Sequence, residues 1–471
     1  MKLSFTGSRI GRAALLGVLL APLLCPNPGM SASSTPSAAA PVQLITLDPG
    51  HFHASLVQKF MYPQVSPVVH VYAPEGQDLR EHLQRVDSFN TRTNDPTHWE
   101  EQVYTGPDFL ERMANERAGN VVVISGNNAH KTEYIERSVD SGFNVLADKP
   151  MAITPADFPR LQSAFTRAAK DKLLLYDIMT ERFEITTILQ RELARMPEVF
   201  GHLEKGTDEY PAVVMESVHH FFKEVAGKPL TRPAWFFDVR QQGEAIPDVG
   251  THLVDLVQWE CFPDLALDWH KDIKVTRARR WATPLTREQF QRATGASEYP
   301  DFLKPDVTTA GGLDVFANGE VYYSLRGVHT KVVALWKFEA PAGGKDTHFS
   351  LLRGTRAHLI VRHAAPQSST PTLYVENKSK DPAAKFEKTL RTAVARLAVT
   401  WPGIGVGVAD SGWAITIPEK YSVGHEAHFA QVTGKYLQYL ADHKLPDWEV
   451  PDMLAKYYTT TEAYRLSHAA K

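Results

Sequence analysis

Val121-Val122-Val123-Ile124-Ser125-Gly126-Asn127-Asn128-Ala129-His130 is an apolar, β-branched run that stops at a small polar loop. Its four leading residues show none of the alternation of a half-exposed strand. Both faces are therefore covered, as in a parallel sheet flanked by helices. An amphipathic stretch over about 131–141 follows, and then a second run, Asn144-Val145-Leu146-Ala147. Strand, helix and strand in that order, joined by Gly142-Phe143, is the unit from which parallel sheets are built.

The same unit repeats outward. Val42-Gln43-Leu44-Ile45-Thr46-Leu47 and Val68-Val69-His70-Val71-Tyr72 lie upstream, and Leu173-Leu174-Leu175-Tyr176 lies downstream. The spacing predicts helices at about 53–60, 107–116 and 156–170. The fold class is thus α/β, with an N-terminal Rossmann-like, doubly wound parallel sheet, and ligands in such sheets sit beyond the carboxyl ends of the strands. Four loops occupy that edge: Asp48-Pro49-Gly50-His51-Phe52-His53, Ala73-Pro74-Glu75-Gly76, Gly126-Asn127-Asn128-Ala129-His130 and Asp148-Lys149-Pro150. After Thr180 a helix of about fifteen residues leads to Gly201, and the chain then turns strand-rich. Asn318-Gly319 reads as a hairpin turn between 313–316 and 321–325, and further strands are expected at about 331–339, 348–353, 357–362 and 372–376. The domain reading is 1–40 leader and linker, 41–180 Rossmann-like domain, and 181–471 an α+β domain on a largely antiparallel open sheet with closing helices. Residues 340–344 and 364–369 read as surface loops.

With 471 residues, 43% hydrophobic and 22% charged, the chain has material for two or three folded domains and is neither disordered nor a multi-span membrane protein. Lys and Arg total 51 against 54 Asp and Glu, which leaves no basic surface for nucleic acid. Lys2, Arg9 and Arg12 precede an apolar run at 13–24 and a Ser/Ala/Pro-rich stretch, the pattern of a cleaved secretory signal. That run is short for a membrane span, and Cys25 lacks the small preceding residue of a lipidated cysteine. The mature protein is expected to be periplasmic or secreted. It would keep Cys261 alone, between Glu260 and Phe262, as a small buried hydrophobe.

Lys149 ends a strand and faces the crevice, where an ammonium can orient a substrate hydroxyl; a solvated turn lysine is the plain alternative. Asp248 and His252 are four apart, so on a helix they share one face, where the acid can orient the ring and the ring can move a proton. Alternatively Asp248 caps that helix and His252 is a core histidine. Glu75 past the second strand could accept from a ribose hydroxyl, or be an exposed loop acid. His51-x-His53 and His219-His220, with Asp48 or Glu216, could meet around a metal, but no spacing among them is diagnostic and no metal is assigned.

The segments 121–130, 142–150 and 248–255 together resemble, in order and spacing, the glucose-fructose oxidoreductase / inositol dehydrogenase / rhizopine-catabolism (Gfo/Idh/MocA) family. The resemblance implies a Rossmann domain binding NAD or NADP and a C-terminal domain that carries the substrate site and often a contact between copies, hence a homo-oligomer through the C-terminal sheet. The family's Glu-Lys-Pro motif matches Asp148-Lys149-Pro150. By that match Lys149, Asp248 and His252 are the catalytic residues of hydride transfer between a sugar or polyol hydroxyl carbon and nicotinamide, with His252 moving the hydroxyl proton. Gly50, His51, Phe52, His53, Glu75, Gly126, Asn127, Asn128, His130, Asp148 and Lys149 become the cofactor contacts, NAD being favoured by the acid at 75. Tyr176, Arg182 and His219 join Lys149, Asp248 and His252 as substrate contacts. The family's first loop carries G-x-G-x-x-G, whereas this one has a single glycine, with His51 and Phe52 where backbone approaches pyrophosphate. Some family members are glycosidases that oxidise the sugar transiently and return the hydride, which suits a protein outside the cytoplasm. A redox-inactive carbohydrate-binding module is the remaining alternative.

Overall fold

The computed structural model describes residues 42–225, 228–340, 345–363 and 371–469. The leader at 1–40 and the loop readings at 341–344 and 364–369 lie outside the described residues.

β1 (Leu44–Leu47), α1 (His53–Leu56), β2 (Val68–Tyr72), α2 (Gln77–Thr91), β3 (Glu100–Tyr104), α3 (Phe109–Glu116), β4 (Val121–Ile124), α4 (Asn128–Asp140), β5 (Asn144–Asp148), α5 (Asp157–Lys170) and β6 (Leu175–Ile178) alternate along the chain. The six strands are all parallel, in the order β3-β2-β1-β4-β5-β6. β1 and β4 are buried along their whole length because helices cover both faces. Their adjacency marks the crossover where the winding reverses and a crevice opens.

Two elements of this first domain have no counterpart in the sequence reading. α2 buries only Leu79, His82 and Val86 of its fifteen residues. β3, Glu-Glu-Gln-Val-Tyr, is an edge strand with no fully buried residue. Neither carries enough apolar periodicity to stand out. α1 is also shorter than expected, four residues in place of eight.

A 3₁₀ turn at Thr180–Phe183 and α6 (Ile185–Ala194) lead into β7 (Val213–Phe222) and a short hairpin, β8 (Glu224–Val225) with β9 (Lys228–Pro229). α7 (Val239–Gln242) and α8 (Val249–Cys261) precede β10 (Ile273–Leu285), α9 (Arg287–Thr294), β11 (Leu313–Leu325), β12 (Val328–Glu339), β13 (Thr347–Arg353), β14 (Ala357–His363) and β15 (Pro371–Asn377). α10 (Ala383–Leu397), β16 (Gly405–Ala409), β17 (Gly412–Thr416), α11 (His425–Asp442) and α12 (Glu449–Ala469) complete the chain. The large sheet runs β10-β11-β12-β7-β13-β14-β15-β17-β16, antiparallel except where β12 lies parallel to β7.

The Asn318-Gly319 turn is corrected: β11 passes straight through it, and the reversal comes at Arg326-Gly327, both in the left-handed region. Asn318 is instead a cross-sheet clamp, donating to Trp281 O and Thr283 Oγ1 and accepting from Trp336 N. Gly319 is small because a Cβ there would lie 2.6 Å from Ile246. The last two helices return to the first domain. Phe429, Val432, Tyr436 and Leu437 of α11, with Met453 and Tyr457 of α12, are buried in the core of the parallel sheet.

Candidate active site

Asp148, Lys149 and Pro150 leave the carboxyl end of β5, with a cis peptide between Lys149 and Pro150. The lysine Nζ donates to Asp248 Oδ1 at 2.6 Å. Asp248 occupies the N-cap position of α8 but its side chain caps nothing, so the carboxylate serves the lysine. One turn later His252 presents a buried Nδ1 with no hydrogen-bond partner. Burial holds its pKa well below the usual histidine value, and the nearby Lys149 charge pushes the same way. The ring is therefore neutral at pH 7, the form able to take a proton.

Behind this pair, Asp148 is only 3% exposed. Its Oδ2 lies 2.9 Å from His53 Nδ1 and accepts from Ser125 Oγ at 3.0 Å, while its Oδ1 has no partner. His51 Nδ1 is 3.8 Å from the same Oδ2, and its ring meets that of His53 edge-on at 4.0 Å. Burial lowers the pKa of both histidines well below the ordinary value. Phe52 lies against both rings. Lys131 Nζ reaches the Lys149 carbonyl at 3.5 Å, and burial brings its ammonium down to about 8.

Sequence reasoning passed over four further groups. Glu181, on the 3₁₀ turn, is raised by burial to about 7 with Lys149 among the charges around it. His425, first residue of α11, stacks 5.0 Å from His53. Arg232 is buried and donates to the Phe221 and His220 carbonyls. Asp346 gathers His219, His220 and Lys223. Glu181 adjoins Arg182, which the sequence reading names, but its tertiary burial has no local signal. His219 also stacks on Trp336 at 5.0 Å, on the β7 side of the crevice.

At the crossover, the spacing of the three glycines falls on Asp48, Gly50 and His53. Asp48 adopts φ 43°, the left-handed conformation a glycine would otherwise supply, and accepts from Tyr134 Oη at 2.8 Å. A Cβ on Gly50 would stand 3.1 Å from Asp78 Oδ2 and 3.3 Å from the Trp235 ring. Trp235 Nε1 donates to that same Asp78 oxygen at 2.9 Å. The Gly50 and His51 amides both donate to the Ser125 carbonyl at 3.2 Å. Gly126 packs against the loop so closely that a Cβ would meet Asp48 O at 2.2 Å.

Other predicted residues are engaged elsewhere. Arg182 makes paired bonds to Asp255 (2.7 and 2.7 Å) and reaches Glu449 (3.0 and 3.1 Å), all buried. Tyr176 Oη sits 3.5 Å from Glu449 in the same network, so neither is brought to the crevice as a substrate contact. Asn127 caps α4 and donates to Gln241, and Asn128 donates to the Gln242 carbonyl, fastening α4 to α7. Glu75 and His130 are exposed, the latter stacked on Tyr134. The acid beside Gly50 is Asp78.

Residues 50–175 match the family model described as "Oxidoreductase family, NAD-binding Rossmann fold", and residues 189–468 match "Putative oxidoreductase C terminal domain". No curated protein sequence matches. A solved "putative oxidoreductase" from Parabacteroides merdae is 53% identical over 92% of this chain and 98% of its own, with a TM-score of 0.89. Two more distant structures share the fold. A levoglucosan dehydrogenase with NADH and L-sorbose has a TM-score of 0.58 at 11% identity, covering 91% of this chain and 97% of its own. A 3-ketoreductase from Actinomadura kijaniata with NADP and TDP-benzene has a TM-score of 0.53 at 13% identity, with the same coverages, 91% and 97%. The two domain matches and the 53% identical structure carry the conclusion: the chain belongs to the Gfo/Idh/MocA family of oxidoreductases, with an NAD-binding type of Rossmann domain.

Proposed function

We propose that the protein transfers hydride between a hydroxyl carbon of a carbohydrate and a nicotinamide cofactor. One observation carries this reading: Lys149, held by Asp248 at 2.6 Å, stands beside a neutral His252 whose buried Nδ1 has no partner. Asp248 holds the ammonium in place. The ammonium orients the substrate hydroxyl, and His252 takes the oxygen's proton as the carbon gives up a hydride to the nicotinamide acceptor, which leaves a carbonyl. The distant neighbours crystallised with sugars or sugar-nucleotide analogues and with NADH or NADP support the substrate and cofactor classes.

Whether the residues suit a dinucleotide can be asked at Gly50. A Cβ there would crowd Asp78 Oδ2 and the Trp235 ring, so the loop backbone at the crossover stays bare of side chain, at the carboxyl edge that also carries Lys149. The residues fit, with Gly50 and the loop after β2 to hold the nucleotide half and Lys149 the reactive half. The cofactor, when bound, supplies the hydride acceptor. Acids at Asp78 and Glu75 support NAD, because a 2′-phosphate would be repelled.

Glu181 favours a second reading, the glycosidase that oxidises, eliminates and returns the hydride. A carboxyl raised to about 7 is still partly protonated at neutral pH and can protonate a leaving oxygen. Export is proposed from Lys2, Arg9 and Arg12 ahead of the apolar run; no helix among the described residues is long and apolar enough to cross a membrane.

A carbon-deuterated sugar or glycoside panel tests the reading. Deuterium should appear on nicotinamide in net oxidation, or be retained in the hydrolysed sugar in the internal cycle. Turnover without any dependence on nicotinamide would refute both.

A further inference from the structure

We propose that His51, His53 and Asp148 form a site for one divalent transition metal of the zinc class, open on the crevice side next to Lys149. This goes beyond the redox reading and stands whether or not the sugar is oxidised.

Among the described residues, these three are the group of His, Cys, Asp and Glu side chains whose ligand atoms converge, all within 4.8 Å of one another. Bond lengths near 2.0–2.2 Å in a tetrahedral zinc site put neighbouring ligand atoms about 3.4 Å apart. The observed 2.9 and 3.8 Å from the imidazoles to Asp148 Oδ2 bracket that value. Two imidazoles and a carboxylate are a borderline-soft set, and three protein ligands leave at least one position for water or a substrate oxygen.

A second observation is independent of that spacing. Asp148 is a nearly inaccessible carboxylate with one oxygen, Oδ1, that has no hydrogen-bond partner. A buried acid left half-satisfied is costly, and a cation held through both oxygens of the carboxylate removes the cost. Ser125 Oγ already donates to the other oxygen, the kind of outer contact that fixes a ligating carboxylate.

The local departures from a dinucleotide loop follow the same logic. His53 stands where the third glycine spacing falls, on a helix of only four residues, and brings an imidazole to the end of β5. The rival cluster, His219 and His220 with Asp346, is closed by Lys223, whose ammonium already holds that carboxylate at 2.6 Å. A metal at the first site would sit beside the Lys149 ammonium and polarise a substrate oxygen bound between them.

The test uses the purified mature protein, stripped with chelator and then titrated with zinc alone, with metal content and calorimetry as readouts. The expected result is one equivalent per chain, and a weakening of about 10–100-fold or more in His51→Ala. His51 is the variant of choice because its ring is only part-buried and its loss leaves the His53–Asp148 contact in place. A cobalt-loaded sample should show visible absorption of a low-coordinate site that His51→Ala alters, a signal that requires folded protein and no turnover. His220→Ala should bind zinc as the wild type does. Failure of the stripped wild type to take up zinc or cobalt, or equal uptake by folded His51→Ala, would overturn the proposal. Neither result bears on hydride transfer, which the deuterium experiment reads separately.

Discussion

The Lys149–Asp248 contact makes a quantitative prediction. Unit charges 2.6 Å apart attract by about 6 kcal/mol at an effective dielectric near 20, before desolvation is subtracted. The two side chains are 12% and 5% exposed, so water screens the pair weakly. Removing one partner leaves the other charge buried and uncompensated, at about 3 kcal/mol, somewhat less for the lysine side because the crevice is near. Lys149→Met should therefore destabilise by about 3 kcal/mol and Asp248→Asn by about 2 kcal/mol. The double variant, with no charge left to strand, should fall close to the single ones, a coupling of about 2 kcal/mol. Urea unfolding at pH 7, with the slope checked for constancy, measures all four proteins. The coupling should persist in 1 M salt, where an exposed pair would lose it. Effects that add to within about 0.5 kcal/mol would refute the geometry from which Lys149 is assigned its role.

Three other groups, His252, Arg182 and Asp452, carry further predictions. His252→Gln should cut kcat by about 10²–10⁴ while stability moves by less than ~1 kcal/mol, since Nδ1 gives up no hydrogen bond. Because burial lowers the His252 pKa, the acid limb of kcat/KM in the wild type should lie below pH 6.5; a limb at or above that value contradicts the assignment. Arg182→Met should leave Glu449 without its ion pair and Asp255 with Lys456 alone, and lower unfolding stability by about 3 kcal/mol, whereas a stable variant with raised KM would return Arg182 to the substrate site. Asp452 is raised by burial to about 8, so its protonated form is the one the fold favours: that stability is complete below the unfolded value near 4 and is lost as pH rises through 8. Asp452→Asn should accordingly be more stable than wild type at pH 8.5, with the gap closing toward pH 4; a gap independent of pH would contradict this.

How far the sequence alone reaches depends on the range of the interaction. The run at 121–124 was legible because a strand buried on both faces is apolar at every position, and those at 44–47, 68–72 and 144–148 because most of their positions are buried and apolar. α2 and β3 were not, because an edge strand and a helix touching the core through three residues have polar sequences. Lys149, Asp248 and His252 are singled out by order and spacing; the structure joins Lys149 to Asp248 and places His252 one helical turn beyond. Asp148 was paired in advance with neither His51 nor His53, since 95 residues separate it from His53 and only the β1–β4 and β4–β5 ladders together close that gap. Arg182 reads as a substrate contact in the sequence because a structural guanidinium and a functional one look alike until Asp255 and Glu449, 73 and 267 residues away, are seen around it. Trp235 and Asp78, 157 residues apart, meet at Gly50 for the same reason.

The most direct test of the central claim is the nicotinamide content of mature protein isolated from the compartment where it works. Denaturation in methanol followed by chromatography should release close to one NAD(H) or NADP(H) per chain, or the stripped protein should bind NAD when it is added back. No nicotinamide in the extract, together with no binding of added NAD or NADP, would contradict the oxidoreductase reading of the Lys149, Asp248 and His252 site.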